Sequence, residues 1–296
     1  MNRWVLGARP RTLPAAIVPV LVGTACGWRR YLPDHLAWVN FKLALIVALA
    51  LQIATNYSND YSDGKRGTDD PSKRVGPPRL VGNGLATAAE VKQAMILAFA
   101  VALVAGGVLV LRVGWELVPV GIAAVAAGYF YTGGPKPYGY LGLGEAFVFV
   151  FFGVVATVGS TYVQLGRITW LSLGCSFAVG SLATALLVIN NLRDIPGDTV
   201  SGKRTLAVRI GDRRTRHFYV ALLVVPFLLL PFIAGLGNRP AAAVAFAALV
   251  LATRPITRVL SGSKGLDLIP VLAETGRLQL VFGVLLSGGL VASSYL

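Results

Sequence analysis

Long apolar stretches separated by polar segments make up most of the chain. A helix needs about 20 apolar residues to cross a bilayer, and nine stretches carry little or no charge over a comparable length: 12–28, 38–58, 91–111, 115–132, 144–164, 168–190, 217–236, 240–260 and 277–296. The eighth is the least distinct, because Arg254 follows only a short uncharged run. The pattern predicts an all-α polytopic membrane protein of about nine transmembrane helices, with one membrane-embedded domain over residues 1–296.

Composition agrees with this pattern and excludes an ordinary soluble domain. Of the 296 residues, 55% are hydrophobic and only 14% are charged, against about 25% charged residues in a typical soluble domain. Both cysteines, Cys26 and Cys175, lie in apolar stretches, so we expect them to be buried thiols. The sequence contains no recognisable nucleic-acid-binding motif.

A polar segment with two amides and two carboxylates ends the sixth apolar stretch. Asn190 and Asp194 are four residues apart, which places both side chains on one face of a helix, and Asp198 follows four residues later. Pro196 lies between the two acids, and proline disfavours helical backbone at the residue before it. We therefore expect the helix to end near Asp194 and Asp198 to lie in the turn just beyond.

The same arrangement occurs once earlier, at the end of the second apolar stretch. Asn56, Asp60 and Asp63 are spaced i, i+4, i+7, which gives a narrow stripe on one helix face. For one such motif alone, polar residues that cap a helix end and face water are a sufficient explanation. Two matched copies instead predict two similar halves of the protein whose acidic ends face each other.

The net charge of +14 is distributed unevenly between the two sides of the predicted bundle. With nine spans and an inner amino terminus, all but six of the 27 lysine and arginine residues fall on inner segments, the exceptions being Arg29, Arg30, Lys42, Arg112, Arg167 and Arg239. Because basic residues concentrate on the cytoplasmic side of membrane proteins, we expect the amino terminus and both acidic motifs to face the cytoplasm.

Acidic residues beside basic loops suit a polyphosphate that is bound through a divalent metal, because the metal cancels the repulsion between the carboxylates and the phosphate. Oxygen ligands favour Mg²⁺ over zinc, and the candidate ligands are Asn56, Asp60, Asp63, Asn190, Asp194 and Asp198. The only histidines, His35 and His217, are not next to either motif. Asp69 and Asp70 are either further acids of the metal site or part of a solvated turn.

Basic and aromatic residues near the motifs are candidates for substrate contacts. Arg79 and Lys203 are candidate diphosphate contacts, with charge at the membrane surface as the alternative. Lys136, the only basic residue of its loop, is either a further diphosphate contact or a topology anchor. Tyr131 and Tyr138 lie close to it in sequence, and aromatic faces stabilise carbocations or stack on flat substrates. Tyrosine is also enriched at any membrane interface.

The two acidic motifs, with the segment from Tyr131 to Lys136 between them, resemble the UbiA family of intramembrane aromatic prenyltransferases. Further segments resemble the MenA branch of that family, whose acceptor is 1,4-dihydroxy-2-naphthoate: residues 7–14, 59–69, 131–139 and 190–194. The resemblance covers nearly the whole chain. It implies a nine-helix bundle in the bacterial cell membrane, around a cavity that opens sideways to lipid.

The resemblance also implies a reaction and the residues that perform it. A polyprenyl group is expected to pass from polyprenyl diphosphate to 1,4-dihydroxy-2-naphthoate, with Mg²⁺ as cofactor and loss of diphosphate and CO₂. The implied catalytic residues are Asp60, Asp63, Tyr131, Lys136, Asp194 and Asp198. The implied substrate contacts are Arg9, Arg11, Asn56, Asn59, Arg66, Arg79, Tyr138, Asn190 and Lys203. The family often has a further acid four residues after Asp63, where this chain has Gly67.

Two other functions are compatible with the sequence. A UbiA-type enzyme could use another aromatic acceptor, such as 4-hydroxybenzoate or homogentisate. A secondary transporter also has repeated halves with acidic residues in the membrane, but its acids lie near the bilayer midplane. Here both acidic motifs lie at the ends of apolar stretches, which favours the enzyme.

Overall fold

The computed structural model describes residues 2–28, 33–68 and 78–296, and its regular structure over these residues is entirely helical. The α-helices are α1 Arg3–Ala8, α2 Pro14–Gly27, α3 Asp34–Arg66, α4 Ala88–Val113, α5 Leu117–Phe130, α6 Gly144–Val148, α7 Ala156–Leu165, α8 Trp170–Val200, α9 Leu206–Gly235, α10 Leu249–Leu260 and α11 Leu268–Ala292. Short 3₁₀ turns lie at Pro10–Thr12, Tyr138–Leu141, Pro240–Ala248 and Gly265–Asp267. A π-helical segment, Phe149–Val155, joins α6 to α7.

The apolar helices agree with the predicted membrane bundle, although the count of nine spans is not confirmed. Within the described residues, seven helical segments are long and apolar enough to cross a membrane. An eighth follows if Arg3–Thr12 and Pro14–Gly27, which meet at a bend of 52°, form one broken span. The remaining predicted span corresponds to α5, which has only 14 residues.

Side-chain caps determine where two of the long helices begin. At the start of α4, the Glu90 amide donates to Thr87 Oγ1 (3.2 Å) and the Thr87 amide donates to the Glu90 carboxylate (2.8 Å). At the start of α8, Ser172 and Thr169 exchange the same two bonds, at 3.1 and 3.3 Å. These bonds provide partners for amide groups that have none inside the helix.

Both acidic motifs lie within helices, and this corrects one prediction. As expected, α3 continues through Asp60 and Asp63 as far as Arg66. The expectation that α8 ends near Asp194 is wrong, because α8 continues past Pro196 to Val200. Near this end the Thr199 hydroxyl donates to Ile195 O (2.8 Å) and the Ser201 hydroxyl donates to Gly197 O (2.9 Å). The Lys203 amide donates to Asp198 O (2.8 Å).

Helix α8 lies at the centre of the bundle, with 78% of its apolar part buried. Its apolar side chains form one core with those of α2, α9 and α11, among them Val22, Leu182, Leu223 and Phe282. Cys26 and Cys175 belong to this core as free thiols, as predicted. Because α8 is surrounded by other helices, the acids at its end face the interior of the bundle.

Glycine allows the closest helix crossings. A Cβ atom on Gly23 of α2 would lie 2.2 Å from the carbonyl oxygen of Thr157 on α7. Gly153 of the π-helical segment and Gly180 of α8 meet in the same way, since a Cβ on Gly153 would lie 2.6 Å from the Gly180 Cα. Small residues at crossings let helix backbones approach closely in membranes.

We expect Gly23→Ala to reduce the free energy of unfolding by about 1 to 3 kcal/mol, because the added methyl group forces α2 and α7 apart. The matched control is Gly288→Ala on α11, where an added Cβ meets no atom within 4 Å. Thermal unfolding of the two purified variants in the same detergent measures the difference. Equal midpoints for both variants and the parent protein would contradict a close crossing at Gly23.

Candidate active site

A single large cavity of about 1050 Å³ contains most of the predicted site residues. Its lining along α3 extends from Asp63 to Ala44, and helices α4, α5, α7 and α8 form other walls. Asp63 and Ala44 are nineteen positions apart on one helix, which corresponds to about 28 Å at 1.5 Å per residue. The cavity is therefore long and narrow, with a polar end and an apolar end.

The cavity also reaches the side of the bundle between α4 and α5. Three of its apolar lining residues there, Leu103, Val120 and Ile122, are 58%, 41% and 64% exposed. In a membrane protein such exposed apolar side chains face lipid. A substrate with an apolar chain can thus enter from the bilayer.

Asp60 is completely buried, and its carboxylate contacts two arginines instead of lining the cavity. Its carboxylate forms ion pairs with Arg9 and with Arg79, the second at 2.8 Å, and it accepts a hydrogen bond from the Leu80 amide at 3.1 Å. Asn56, one turn earlier on α3, binds the same amino-terminal segment, because its amide nitrogen donates to Ala8 O at 2.9 Å. Asp60 is the one acid of the two motifs outside the cavity lining.

Asp63 lines the polar end of the cavity and belongs to a second ion pair. It accepts hydrogen bonds from the Tyr140 hydroxyl at 2.5 Å and from Lys203 Nζ at 3.0 Å. Burial alone would lower the pKa of Lys203, but the Asp63 carboxylate outweighs this effect, and the pKa of Lys203 is raised above its ordinary value. Burial and the same carboxylate raise the pKa of Tyr140. Lys203 therefore stays charged and Tyr140 stays protonated beside Asp63.

The acids of the second motif line the same polar end. Asp194 accepts two hydrogen bonds from the neighbouring Arg193, both at 2.7 Å. Asp198 has Thr205 Oγ1 at 3.4 Å from its carboxylate. Asn190 donates to Leu186 O at 3.0 Å, within its own helix. The prediction that the two acidic ends meet is thus fulfilled by Asp63, Asp194 and Asp198, which line one cavity.

The basic candidates divide into two groups. Arg9, Arg11, Arg79 and Lys203 line the cavity. Arg66 and Lys136 lie outside its lining and are exposed.

Arg66 was expected to contact the substrate, but it binds backbone carbonyl groups instead. It donates to the carbonyl groups of Thr132 and Gly134, so it fastens the loop after α5 to the end of α3. Asn59 supports the same loop, since its side-chain oxygen accepts a bond from Thr132 Oγ1 at 2.8 Å. Asp69 and Asp70 lie outside the described residues.

An aromatic wall, which we define as Tyr131, Tyr138, Phe147 and Phe151, lines the cavity beside its polar end. Neighbouring ring centroids along this wall are 5.5, 3.9 and 6.0 Å apart. The Tyr138 and Phe147 rings are stacked, and the Tyr138 hydroxyl donates to Ala127 O at 2.8 Å. The wall offers flat apolar surface for an aromatic substrate or an allylic cation.

Sequence analysis predicted the tyrosines of this wall but missed the phenylalanines. Phe147 and Phe151 lie inside an apolar stretch, where aromatic residues are expected anyway. They are four residues apart, so helical spacing would have placed them on one face, but nothing in the sequence shows that this face lines a cavity.

The donor atoms at the polar end suit a hydrated divalent cation better than a protein-enclosed one. Among the residues that the structure describes, no three acidic, histidine or cysteine side chains come close enough together to hold a metal ion. Mg²⁺, however, keeps several waters and binds through one or two carboxylates together with substrate phosphates. Asp194 and Asp198, with Asp63 opposite them in the same cavity, provide such carboxylates.

Comparison with known proteins identifies the family. The model of the UbiA prenyltransferase family matches residues 16–264. The 1,4-dihydroxy-2-naphthoate octaprenyltransferase of Mycobacterium tuberculosis is 49% identical over 290 residues, which cover 97% of this chain and 96% of that protein. The protein of the same name from Escherichia coli is 40% identical over 227 residues, 75% of this chain and 72% of the relative.

Solved structures have the same fold. A UbiA homologue from Aeropyrum pernix K1, in its apo form, aligns with a TM-score of 0.67 at 17% identity, over 99% of this chain and 100% of that one. A UbiA homologue from Archaeoglobus fulgidus bound to DMAPP and Mg²⁺ aligns with a TM-score of 0.58 at 16% identity, over 97% and 99%. At such identities the likeness concerns the fold alone.

We expect Asp60→Asn to reduce the free energy of unfolding by about 3 to 5 kcal/mol, because it removes the buried negative charge that pairs with Arg9 and Arg79. The control is Glu90→Gln, which removes an exposed ion pair with Arg3 at 3.0 Å and should cost less than about 1 kcal/mol. Denaturant or thermal unfolding of the purified proteins gives both values. A stable Asp60→Asn variant would show that the two arginines do not depend on this carboxylate.

Proposed function

Because the chain belongs to the UbiA prenyltransferase family, we propose that it transfers a polyprenyl group from a polyprenyl diphosphate to 1,4-dihydroxy-2-naphthoate. Diphosphate and CO₂ leave, and the immediate product is the quinol form of demethylmenaquinone, an intermediate of menaquinone biosynthesis. The names of the mycobacterial and Escherichia coli relatives support this acceptor.

The observation that carries the proposal is the combination of three surfaces in one cavity. Charged side chains at the polar end suit a diphosphate, the aromatic wall suits a flat bicyclic acceptor, and the apolar end suits a long prenyl chain. In this proposal the C1 carbon of the prenyl group lies next to the aromatic wall, between the polar and the apolar end.

The residues of this chain have separate parts in the proposed reaction. Arg79 and Lys203 bind the diphosphate, and the bond between its oxygen and the prenyl C1 carbon breaks. The aromatic wall stabilises the allylic cation, and the apolar cavity keeps water away from it. The ring carbon that bears the carboxylate forms the new bond, and loss of CO₂ restores aromaticity.

We propose Mg²⁺ as the cofactor, held by Asp63, Asp194 and Asp198 at the polar end with Asn190 as a neutral partner. When bound, the ion neutralises charge on the leaving diphosphate. The Archaeoglobus fulgidus homologue, whose structure contains DMAPP and Mg²⁺, supports this choice. Asp60 and Asn56 contribute indirectly, since they hold Arg9 and the amino-terminal segment at the cavity.

The same proposal includes an orientation in the membrane. The protein is embedded in the membrane through its apolar helices. The excess of basic residues on the segments that carry the acidic motifs supports an active site at the cytoplasmic side. A bacterial plasma membrane is the expected location, as the relatives are bacterial.

The acceptor assay tests the proposal most directly. Purified protein is given a polyprenyl diphosphate with either 1,4-dihydroxy-2-naphthoate or 4-hydroxybenzoate, and CO₂ and diphosphate are both measured. We expect equal amounts of CO₂ and diphosphate with the naphthoate. The two-ring acceptor should react at least about tenfold better, since an added ring buries more apolar surface. Preference for the one-ring acid, with its carboxylate retained in the product, would overturn the acceptor assignment.

We expect Asp194→Asn and Asp198→Asn each to reduce turnover by about a hundredfold or more, because each removes a carboxylate from a charge-compensated metal site. The control is Asp34→Asn at the opposite end of α3, where the side chain is exposed. Removing divalent metal with a chelator should abolish activity in the parent protein, and added Mg²⁺ should restore it. Normal turnover in folded Asp194→Asn would rule out its place in the metal site.

A further inference from the structure

Glu145 is a buried carboxylate that the proposed reaction does not use. It is 5% exposed and lies at the start of the membrane segment formed by α6 and α7. One carboxylate oxygen accepts a hydrogen bond from Asn191 Nδ2 at 2.8 Å, while the other has no partner among the described residues. A buried ionisable group inside a membrane segment is costly and indicates a function.

Asn191, unlike Glu145, lines the cavity. On α8 it lies between Leu187 and Asp194, at i−4 and i+3, and all three side chains line the cavity. Asn191 is therefore one helical turn from the acids of the polar end. Tyr131 of the aromatic wall lies close to this part of the cavity, because a Cβ on Gly144 would be 3.2 Å from both its ring and Leu187.

The contact with Glu145 determines which way the Asn191 amide faces. Asn191 Nδ2 donates to the Glu145 carboxyl oxygen at 2.8 Å, so the NH₂ group of Asn191 faces Glu145. The amide oxygen of Asn191 is then turned away from Glu145, on the side of the cavity. The assignment follows from this hydrogen bond, and the two ends of an amide are otherwise easily exchanged.

The backbone around Glu145 has an unusual conformation that holds this pair in place. The π-helical segment Phe149–Val155 follows directly after α6, and π-helical turns within α-helices are frequent at functional sites. The close contact of Gly153 with Gly180 brings the segment against α8. Tyr131 packs on the same turn, because a Cβ on Gly144 would lie 3.2 Å from its ring.

We propose that Glu145 and Asn191 form a subsite for a hydroxyl group of the aromatic acceptor, an inference that rests on the proposed function. Glu145 is the positioning residue, and the amide oxygen of Asn191 accepts the hydrogen bond from the acceptor hydroxyl. The acceptor is thereby oriented with a hydroxyl toward Asn191 and its carboxylate toward the basic residues of the polar end.

Acceptor analogues that lack one hydroxyl test the subsite. The dissociation constants of 1,4-dihydroxy-2-naphthoate, 1-hydroxy-2-naphthoate and 4-hydroxy-2-naphthoate are measured for the parent protein and for Asn191→Leu in detergent. In the parent, one monohydroxy analogue should bind about five to ten times more weakly than the dihydroxy compound, as expected for one lost hydrogen bond. In Asn191→Leu this difference should fall below about twofold.

Two further variants test whether Glu145 and Asn191 act in acceptor binding or only support the structure. Glu145→Gln keeps the size of the side chain but allows either end of the Asn191 amide to face it. We expect a higher KM for the acceptor, an unchanged KM for the prenyl diphosphate and a reduced preference for the hydroxyl. Gln164→Leu is the matched control, since this buried amide on α7 bonds to Ala37 O at 3.2 Å and lies outside the cavity lining. It should keep the full preference.

The double variant Glu145→Gln with Asn191→Leu removes the buried charge and covers the case in which Asn191→Leu does not fold. Full preference for the hydroxyl in any folded variant at Asn191, or no preference in the parent protein, overturns the subsite. Failure of the proposed function has a different signature, because the parent would then not prenylate the naphthoate at all. In that case the hydroxyl preference of the parent protein and of the variants would be measured on the acceptor that the protein does prenylate. Forms of that acceptor with and without its hydroxyl group would be compared, and the same criteria would apply.

Discussion

The ion pairs of Asp60 with Arg9 and Arg79 are the contacts on which the polar end of the cavity depends. A fully buried carboxylate in an apolar helix bundle is tolerated only when opposite charge and hydrogen bonds compensate for the loss of its hydration. These contacts join three separate parts of the chain: the amino-terminal segment, the end of α3 and the segment that begins α4. Arg9 itself adopts left-handed backbone, with φ of 52°, a conformation that costs free energy in a residue other than glycine. The ion pair offsets that cost and keeps both arginines at the cavity.

The two long helices α3 and α8 distribute polar and apolar surface along the cavity. Each carries small or apolar residues over most of its length and an Asn-x-x-x-Asp motif near its carboxyl end. Because the two ends lie side by side, charge is concentrated at one end of the cavity and the remaining length is left apolar. Arg193 pairs with Asp194 and Lys203 pairs with Asp63, so carboxylates and diphosphate-binding cations share one small volume with two of its three acids paired.

Much of this architecture could be predicted from the sequence, since apolar stretches of membrane-spanning length and the repeated motif are local patterns. The stripe of Asn56, Asp60 and Asp63 was correctly placed on one helix face by its spacing alone. The sequence could not show that Asp60 faces two arginines whereas Asp63 faces the cavity, because this depends on segments that are distant in the chain. Pro196 suggested a helix end, but α8 continues through it to Val200, since membrane helices tolerate proline. Glu145 was overlooked because a single acid at the edge of an apolar stretch resembles an interfacial residue.

The lateral opening between α4 and α5 determines whether the concentration of the prenyl substrate is counted in the lipid or in the water. A long prenyl chain that enters between exposed apolar residues such as Leu103 and Ile122 comes from the surrounding lipid, and the prenylated product returns to it by the same route. Supply and release then occur by diffusion in two dimensions, and the relevant quantity is the mole fraction of substrate in the membrane rather than its amount per volume of water. Added lipid or detergent micelles dilute the substrate in that plane even when the total amounts stay fixed.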